Sequence, residues 1–313
     1  MSQPIFQATA AAKIILFGEH AVVYGCPAIA VPISTLRATA SVLAGDHSGL
    51  HIAAEDLSQV MPVNVETDQV DNALALTARL VLRKFHLPPP DVTIAIQSQI
   101  PMASGLGSGA AVSTALARAL CGALHVSLDA ATLNGIIYEV EKVHHGTPSG
   151  IDNTVIVYEQ PVYYVREQPI ETFSIGRPLH MLVGDTGKGA LTKIAVGAVR
   201  DLYEESPERV LPILEEIRQL VVSARKAIEQ GNETLIGELM NRNHAYLREL
   251  TVSSPELDQL VDAARSAGAL GAKLSGGGRG GNMIALVKEE NRHTVEAALR
   301  EAGAVRVLGT TLS

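Results

Sequence analysis

No run of about 18 uninterrupted apolar residues occurs anywhere in the sequence, which excludes a transmembrane helix. Cysteine is scarce, with Cys26 and Cys121 the only two. That is too few for a disulfide scaffold, and both read as small buried hydrophobes of a reducing compartment. Positive charge is short as well: 25 Lys and Arg stand against 33 Asp and Glu, a net charge of −8. A protein with that balance lacks the basic face needed to neutralise a nucleic-acid backbone, so nucleic acid is not an expected partner. A basic pocket for one small phosphate remains compatible with it, because net charge does not describe a single cleft. The first residues carry no basic segment, and Lys13 interrupts the only early apolar run, which argues against a secretory signal. What is present is 47% hydrophobic and 19% charged residues over 313 positions. That composition suits real cores in about two domains and shows no signature of disorder. The expectation is a soluble, cytoplasmic, two-domain protein with no membrane partner.

Along the chain, residues 14–17, 28–31 and 38–43 read as short β segments separated by Gly, Pro and charge. Val70, Leu74, Val81 and Phe85 recur at offsets of 4, 7 and 4, a helical period that Pro88, Pro89 and Pro90 bring to a stop. Residues 92–96 alternate as a strand does. A Gly/Ser-rich loop, an alanine-rich helix to about residue 124 and a second helix over 128–145 come next. A loop over 146–153 and strands at 154–158 and 162–165 complete this half. The stretch 167–178, with two prolines and a glycine, reads as an interdomain connection, which divides the chain into 1–172 and 173–313. The second half reads as a strand at 180–183 and helices over 192–203, 208–230, 233–250 and 255–267. Ser254 stands as the N-cap of the last of these helices, with Pro255 at its first position. A strand at 272–274, a glycine cluster, a strand at 283–287, a helix near 294–301 and a strand at 305–308 follow. The class is α+β, with antiparallel strand pairs in both halves.

Four segments carry chemistry. The first is the passage from strand to glycine-rich loop to helix at 94–120, with glycines at 105, 107 and 109. It is either a turn that needs glycine or an anion site, since a helix N-terminus offers unpaired N–H groups and partial positive charge. It lacks the Gly-Lys-Ser/Thr ending of a P-loop and the acidic residue of a dinucleotide fold. The second is Lys13, a lysine entering an apolar strand, which either snorkels to the surface or meets a buried partner. Glu19, His20 and Tyr24 follow closely. In the third segment, Glu141 near a helix end and Asp152 after a Pro/Gly turn supply two carboxylates. A magnesium ligand plus a carboxylate aimed at a hydroxyl is what phosphoryl transfer to an alcohol requires. His144 and His145 invite a zinc reading, but adjacent histidines diverge on a helix and no Cys/His set completes the ligands. The fourth is Gly276-Gly277-Gly278-Arg279-Gly280-Gly281 between two strands, either a flexible hairpin or a place where backbone closely approaches another group.

These segments together resemble the GHMP kinase superfamily, and more closely its mevalonate kinase branch of the short archaeal or bacterial type. The resemblance rests on KIILFGEHAVVYGCPAIA (13–30), PMASGLGSGAAVS (101–113), EKVHHGTPSGIDN (141–153), MNRNHAYLRELTVSSPELD (240–258) and KLSGGGRGGNMIAL (273–286). It implies an N-terminal α+β domain, a C-terminal ferredoxin-like domain and an active site in the cleft between them. It also implies ATP-dependent phosphorylation of the 5-hydroxyl of (R)-mevalonate, with Mg²⁺ as cofactor and a homodimer as the assembly. Carried over by motif position, Asp152 is the catalytic carboxylate and Lys13 sits beside it to stabilise developing charge. Glu141 and Ser108 serve the metal, and Glu19, His20 and Thr192 contact mevalonate. Gly105, Leu106, Gly107, Ser108 and Gly109 hold the ATP phosphates, and the glycines of 276–281 brace that loop.

Two positions depart from the pattern: Gly109 replaces the usual second serine of the phosphate loop, and Arg279 replaces a usual glycine. Arg279 reaches a phosphate or carboxylate, or points to solvent. Alternatives on the same fold are mevalonate 3-kinase, phosphomevalonate kinase, a decarboxylase and a non-catalytic ligand sensor. Lys13 counts against the decarboxylase, and the full set Lys13, Glu141 and Asp152 counts against the sensor. A phosphomevalonate kinase needs extra cations, for which Arg279, Lys188 and Lys193 are candidates.

Overall fold

The computed structural model describes residues 3–45, 48–54, 59–64, 66–67, 72–102, 104–145, 148–189 and 192–313, without the side chains of 54, 59, 144 and 145. The chain divides into two compact units. One is formed by Met1–Ala12, Ser34–Met102 and Gly107–Glu159, the other by Lys13–Ile33, Ala103–Leu106 and Gln160–Ser313. Two strands, β1 (Phe6–Phe17) and β2 (Ala28–Ala44), run through both. They are 12 and 17 residues long, where the sequence suggested only the short segments 14–17, 28–31 and 38–43. The missed lengths include Ala10, Ala11 and Ala12, weak strand formers that are buried here. Burial on a pleated surface overrides propensity at such positions. Pro32 is tolerated inside β2 because it falls between the two stretches that pair with later strands.

In the first unit β3 (Leu50–Ala54) pairs antiparallel with β4 (Gln59–Pro62). Helix α1 (Ala73–Phe85) then crosses over, so that β5 (Val92–Ser98) returns parallel to β3 and antiparallel to Ala38–Ala44 of β2. Asn72 caps α1, its side chain accepting the Ala75 N–H at 2.7 Å. His86 ends the helix in the left-handed conformation ahead of the prolines. Val70, the first residue of the expected helical period, lies outside the described residues. Helices α2 (Ser108–Ala123), α3 (Ala130–His145) and α4 (Ile151–Tyr158) pack on one another.

Residues 154–158, read from sequence as a strand, belong to α4. Thr154, Val155, Ile156 and Val157 are β-branched, but the segment is buried almost all round, so no polar face revealed a helical period. The Thr154 hydroxyl turns back to the Gly150 carbonyl at 2.6 Å, which meets its hydrogen-bond need inside the helix.

In the second unit β6 (Val162–Tyr164) pairs with Ala28–Ala30 of β2 and with β7 (Glu171–Thr172). The stretch expected as a plain connection therefore carries a short strand. Then come β8 (Leu179–Asp185), α5 (Thr192–Glu205), α6 (Pro207–Gln230), α7 (Glu233–Glu249), α8 (Pro255–Ser266), β9 (Gly271–Ser275), β10 (Asn282–Val287), α9 (Arg292–Glu301) and β11 (Arg306–Leu312). The sheet order is β11-β8-β10-β9, antiparallel throughout, the ferredoxin-like arrangement that the resemblance implied.

Strand β9 is the edge of this sheet, and side chains cap its outer backbone groups. Asn241 Oδ1 accepts the Ala272 N–H at 3.0 Å, His244 Nδ1 accepts the Leu274 N–H at 3.3 Å, and Arg265 donates to the Ala272 carbonyl at 2.7 Å. An edge so covered is closed to further strands. Helix α7 reaches β9 because glycines meet there: a Cβ at Gly237 would overlap the Leu270 carbonyl, and one at Gly271 the Gly237 carbonyl.

Alanine normally stabilises a helix interior by about 1 kcal/mol over glycine. At Gly237 the sign reverses: Gly237→Ala is expected to destabilise the protein by about 2 kcal/mol through overpacking against backbone. Urea unfolding measures this, and a variant more stable than the parent contradicts the close approach.

Candidate active site

In the second unit the site grows from the end of β1. Lys13 is 2% exposed and its N–H donates to the Leu106 carbonyl at 3.1 Å, so the strand and the glycine-rich loop share a hydrogen bond. The lysine does not snorkel to the surface. The same loop is held again at Ser104, whose carbonyl accepts Asn282 Nδ2 at 2.5 Å. Gly105 follows at φ 80°, and a Cβ there would meet open space. Its glycine thus answers a backbone requirement, not a shortage of room.

Beyond β1, Glu19 and His20 are 1% and 6% exposed. Glu19 forms an ion pair with Lys273 of β9, which is fully buried and also donates to the Leu274 carbonyl at 2.6 Å. Burial pushes the Glu19 carboxyl above its usual value, while Lys273 and then Lys13 oppose the shift. Burial likewise pulls the Lys273 ammonium down, against the attraction of Glu19.

His20 Nε2 lies 2.9 Å from the Gly277 carbonyl. An acceptor at that distance assigns the proton to Nε2 and leaves Nδ1 a bare lone pair. Burial lowers its pKa to about 4, with Arg279 and Lys273 adding to the effect and the Gly277 carbonyl opposing it. Gly277 also packs on Thr192, the first residue of α5, so closely that a Cβ would strike its hydroxyl. Ser275 completes the lacing: its Oγ accepts the Ile15 N–H at 3.2 Å and donates to the Ile15 carbonyl at 2.9 Å.

Thus Lys13, Glu19, His20, Thr192, Gly105 and Leu106 are gathered in one unit, and Asn282, the residue after the glycine cluster, holds the loop at Ser104. Arg279 donates its backbone N–H and Nε to the carbonyls of Val252 and Thr251 at 2.8 and 3.3 Å. Lys188, another candidate for a substrate phosphate, is paired with Glu256.

In the first unit α2 begins at Ser108, preceded by Gly107 at φ 77° as N-cap. Among the described residues no side chain is seen to cap this end, which leaves its first N–H groups facing outward as an anion site requires. Ser108 Oγ lies 3.4 Å from the Ile100 carbonyl, a weak contact, and Gly109 is exposed with helical backbone. Glu141 is buried near the C-terminal end of α3. Asp152 sits in the first turn of α4, not in a loop, where helix N–H groups favour a negative side chain. Asn153 of α4 donates to Asn134 of α3 at 2.6 Å, tying the two carboxylate-bearing helices together. The side chains of His144 and His145 lie outside the described residues.

Three residues of this site escaped the sequence reading: Lys273, Ser275 and Asn282. The signal for Lys273 was the one that singled out Lys13, a lysine in an apolar strand. His244 was also missed. Its Nε2 lies 3.2 Å from Asp258, which also receives the Ser253 hydroxyl at 2.5 Å and Arg248 at 3.1 Å.

Two family models match the chain, "GHMP kinases N terminal domain" over residues 72–160 and "GHMP kinases C terminal" over 224–305. A mevalonate kinase of Pyrococcus horikoshii is 38% identical over 96% of this chain and 94% of its own length. The chain therefore belongs to the GHMP kinase family, on the mevalonate kinase branch. Among solved structures, the Methanococcus jannaschii mevalonate kinase superposes with a TM-score of 0.87 at 26% identity, covering 98% of each chain. The L. major mevalonate kinase in complex with R-mevalonate does so with a TM-score of 0.85 at 28% identity, covering 100% of this chain and 99% of that one. No described helix is long and apolar enough to cross a membrane.

The two buried histidines set a pH dependence. Burial, its largest cause, also lowers His244 to about 4, helped by Arg265, Lys273 and Arg248 and opposed by Asp258. Unfolding returns both to the ordinary 6.5. Between those values the unfolded chain binds protons that the native one refuses. Stability is therefore full above pH 6.5 and is lost as pH falls toward 4, by up to about 3 kcal/mol per histidine. Urea unfolding at pH 7.5 and 5.0 is expected to show this loss, and His244→Gln to reduce it. An equal loss in both proteins contradicts the assignment.

Proposed function

We propose that this chain transfers the γ-phosphoryl group of ATP to the 5-hydroxyl of (R)-mevalonate, giving 5-phosphomevalonate and ADP. The observation that carries the reading is the chemical set itself: a buried lysine at the end of β1, a carboxylate in the first turn of α4, a buried carboxylate on α3 and an uncapped helix start after a glycine loop. The chain is 38% identical to a relative named mevalonate kinase, and the L. major relative is described in complex with R-mevalonate. Phosphoryl transfer asks a protein mainly for positioning and charge stabilisation, which these groups supply.

Asp152 takes or orients the proton of the attacking hydroxyl. Lys13 stabilises the developing alkoxide and the γ-phosphate. Gly105, Leu106, Gly107, Ser108 and Gly109 hold the phosphates at the start of α2. Glu19, His20 and Thr192 contact mevalonate.

Among the described residues no cluster of three or more His, Cys, Asp or Glu stands ready to hold a metal alone. The donor set fits Mg²⁺ nonetheless, since a carboxylate and a hydroxyl are hard oxygen ligands and this ion draws its remaining ligands from water and substrate phosphates. Glu141 and Ser108 are the residues that would hold it, and the ion would supply neutralisation of phosphate charge. The same reading includes a homodimer, a cytoplasmic location and the domain division at 172/173.

Coupled ADP release with Mg-ATP, comparing mevalonate, 5-phosphomevalonate, homoserine and galactose, tests the reading. Turnover on mevalonate above the other three is expected, and ATP binding without turnover on any overturns it. Asp152→Asn and Lys13→Met are each expected to lower kcat by about 10²-fold or more with ATP affinity little changed, as loss of a contact made in the transition state requires. An unchanged kcat in either removes that residue from the mechanism. Gly109→Ser is expected to lower the Mg²⁺ concentration needed for half-maximal rate, because a hydroxyl joins the metal's surroundings. A higher requirement contradicts the placement of Gly109.

A further inference from the structure

Glu19 presents an asymmetric carboxylate. One oxygen is taken by Lys273, while the other, Oε2, is buried without a hydrogen-bond partner. The next residue repeats the pattern. His20 commits Nε2–H to Gly277, and its Nδ1 is buried and equally unmet. Two consecutive residues thus offer desolvated acceptors, each costly to leave unsatisfied. Only a donor relieves both. A carboxylate or phosphate is repelled by Glu19, whereas a neutral hydroxyl can donate to such an acceptor.

Lys273 cannot drift from this task. It is fully buried on β9, its ammonium is fixed by the Leu274 carbonyl as well as by Glu19, and the strand is pinned by Ser275 to Ile15 and by His244 at Leu274. We propose that Lys273 is a positioning residue for Glu19, holding one carboxylate oxygen so that the other, next to His20, accepts a hydrogen bond from a substrate hydroxyl. This rests on the reading above, in which Glu19 and His20 contact mevalonate, and it adds the chemistry of that contact and the residue that enforces it. The charged groups acting on Glu19 are Lys273 from β9 and Lys13 from β1. Arg279 and His244 lie further out, acting on His20 and against Lys273 respectively.

The test compares Glu19→Gln, Lys273→Met and the double variant for the KM of mevalonate, the KM of ATP, kcat and unfolding. Lys273→Met is expected to raise the mevalonate KM about 10- to 100-fold, the worth of one charged hydrogen bond, with the KM of ATP little changed. It also brings a new fall of kcat/KM toward low pH, because Glu19 without its cation protonates more readily. If Lys273→Met alone does not fold, the double variant keeps the question open to measurement, since no unpaired charge remains buried. It is expected to regain stability but not the mevalonate KM. A folded Lys273→Met with unchanged mevalonate KM, an equal loss for ATP, or a double variant with restored KM each overturns the positioning role. A raised KM in Glu19→Gln beside an unchanged one in Lys273→Met overturns positioning alone. An unchanged KM in Glu19→Gln removes the Glu19 contact, and a native chain inert toward mevalonate removes the proposed function and this inference with it.

Discussion

The Glu19–Lys273 ion pair is the constraint around which the second unit is arranged. Two charges lying wholly inside a protein forfeit their hydration, and mutual attraction compensates only if geometry is held firmly. The structure holds it with a set of cross-braces: Ser275 to both backbone groups of Ile15, His20 to Gly277, Asn282 to Ser104 and Lys13 to Leu106. Segments from the front, middle and end of the chain are thereby fixed in one body. The ferredoxin-like sheet then serves as a rack, with its edge strand β9 carrying the lysine and helix α7 pressed against that edge by paired glycines.

The first unit uses a different principle. The residues proposed to act there stand near helix ends: Gly107 and Ser108 at the start of α2, Glu141 toward the end of α3, Asp152 in the first turn of α4. The N-terminal ends of α2 and α4 supply directed N–H groups and partial positive charge, whereas Glu141 is a buried carboxylate. The hydrogen bond from Asn153 to Asn134 and the mutual packing of α2, α3 and α4 keep those ends in register. One unit therefore offers fixed acceptors and a buried cation, and the other offers helix ends and carboxylates.

Much of this was legible from residues. The second-half helices were readable because each shows an amphipathic period and clear punctuation, as at Ser254 with Pro255. Lys13, Gly105, Gly107, Glu141 and Asp152 drew attention in the sequence because such residue types are costly where they stand unless something requires them. Legibility failed where a period vanished. Helix α4 is buried on all sides and β-branched, so it looked like a strand, and β1 hid its length behind alanines. Lys273 was overlooked because the glycines beside it drew the reading, and its partner Glu19 lies 254 positions away, beyond any local pattern. For Arg279 the sequence left a ligand contact or solvent open, and its backbone N–H and Nε bond the carbonyls of Val252 and Thr251, contacts no local pattern indicates.

The central claim is that this architecture delivers a phosphoryl group to one particular hydroxyl. NMR of the product formed from mevalonate and Mg-ATP tests it most directly, since phosphorus–carbon coupling identifies the esterified carbon. The account predicts two-bond coupling at the C5 methylene and three-bond coupling at C4, with none at C3. Coupling at C3, or a product phosphorylated at both positions, would contradict it.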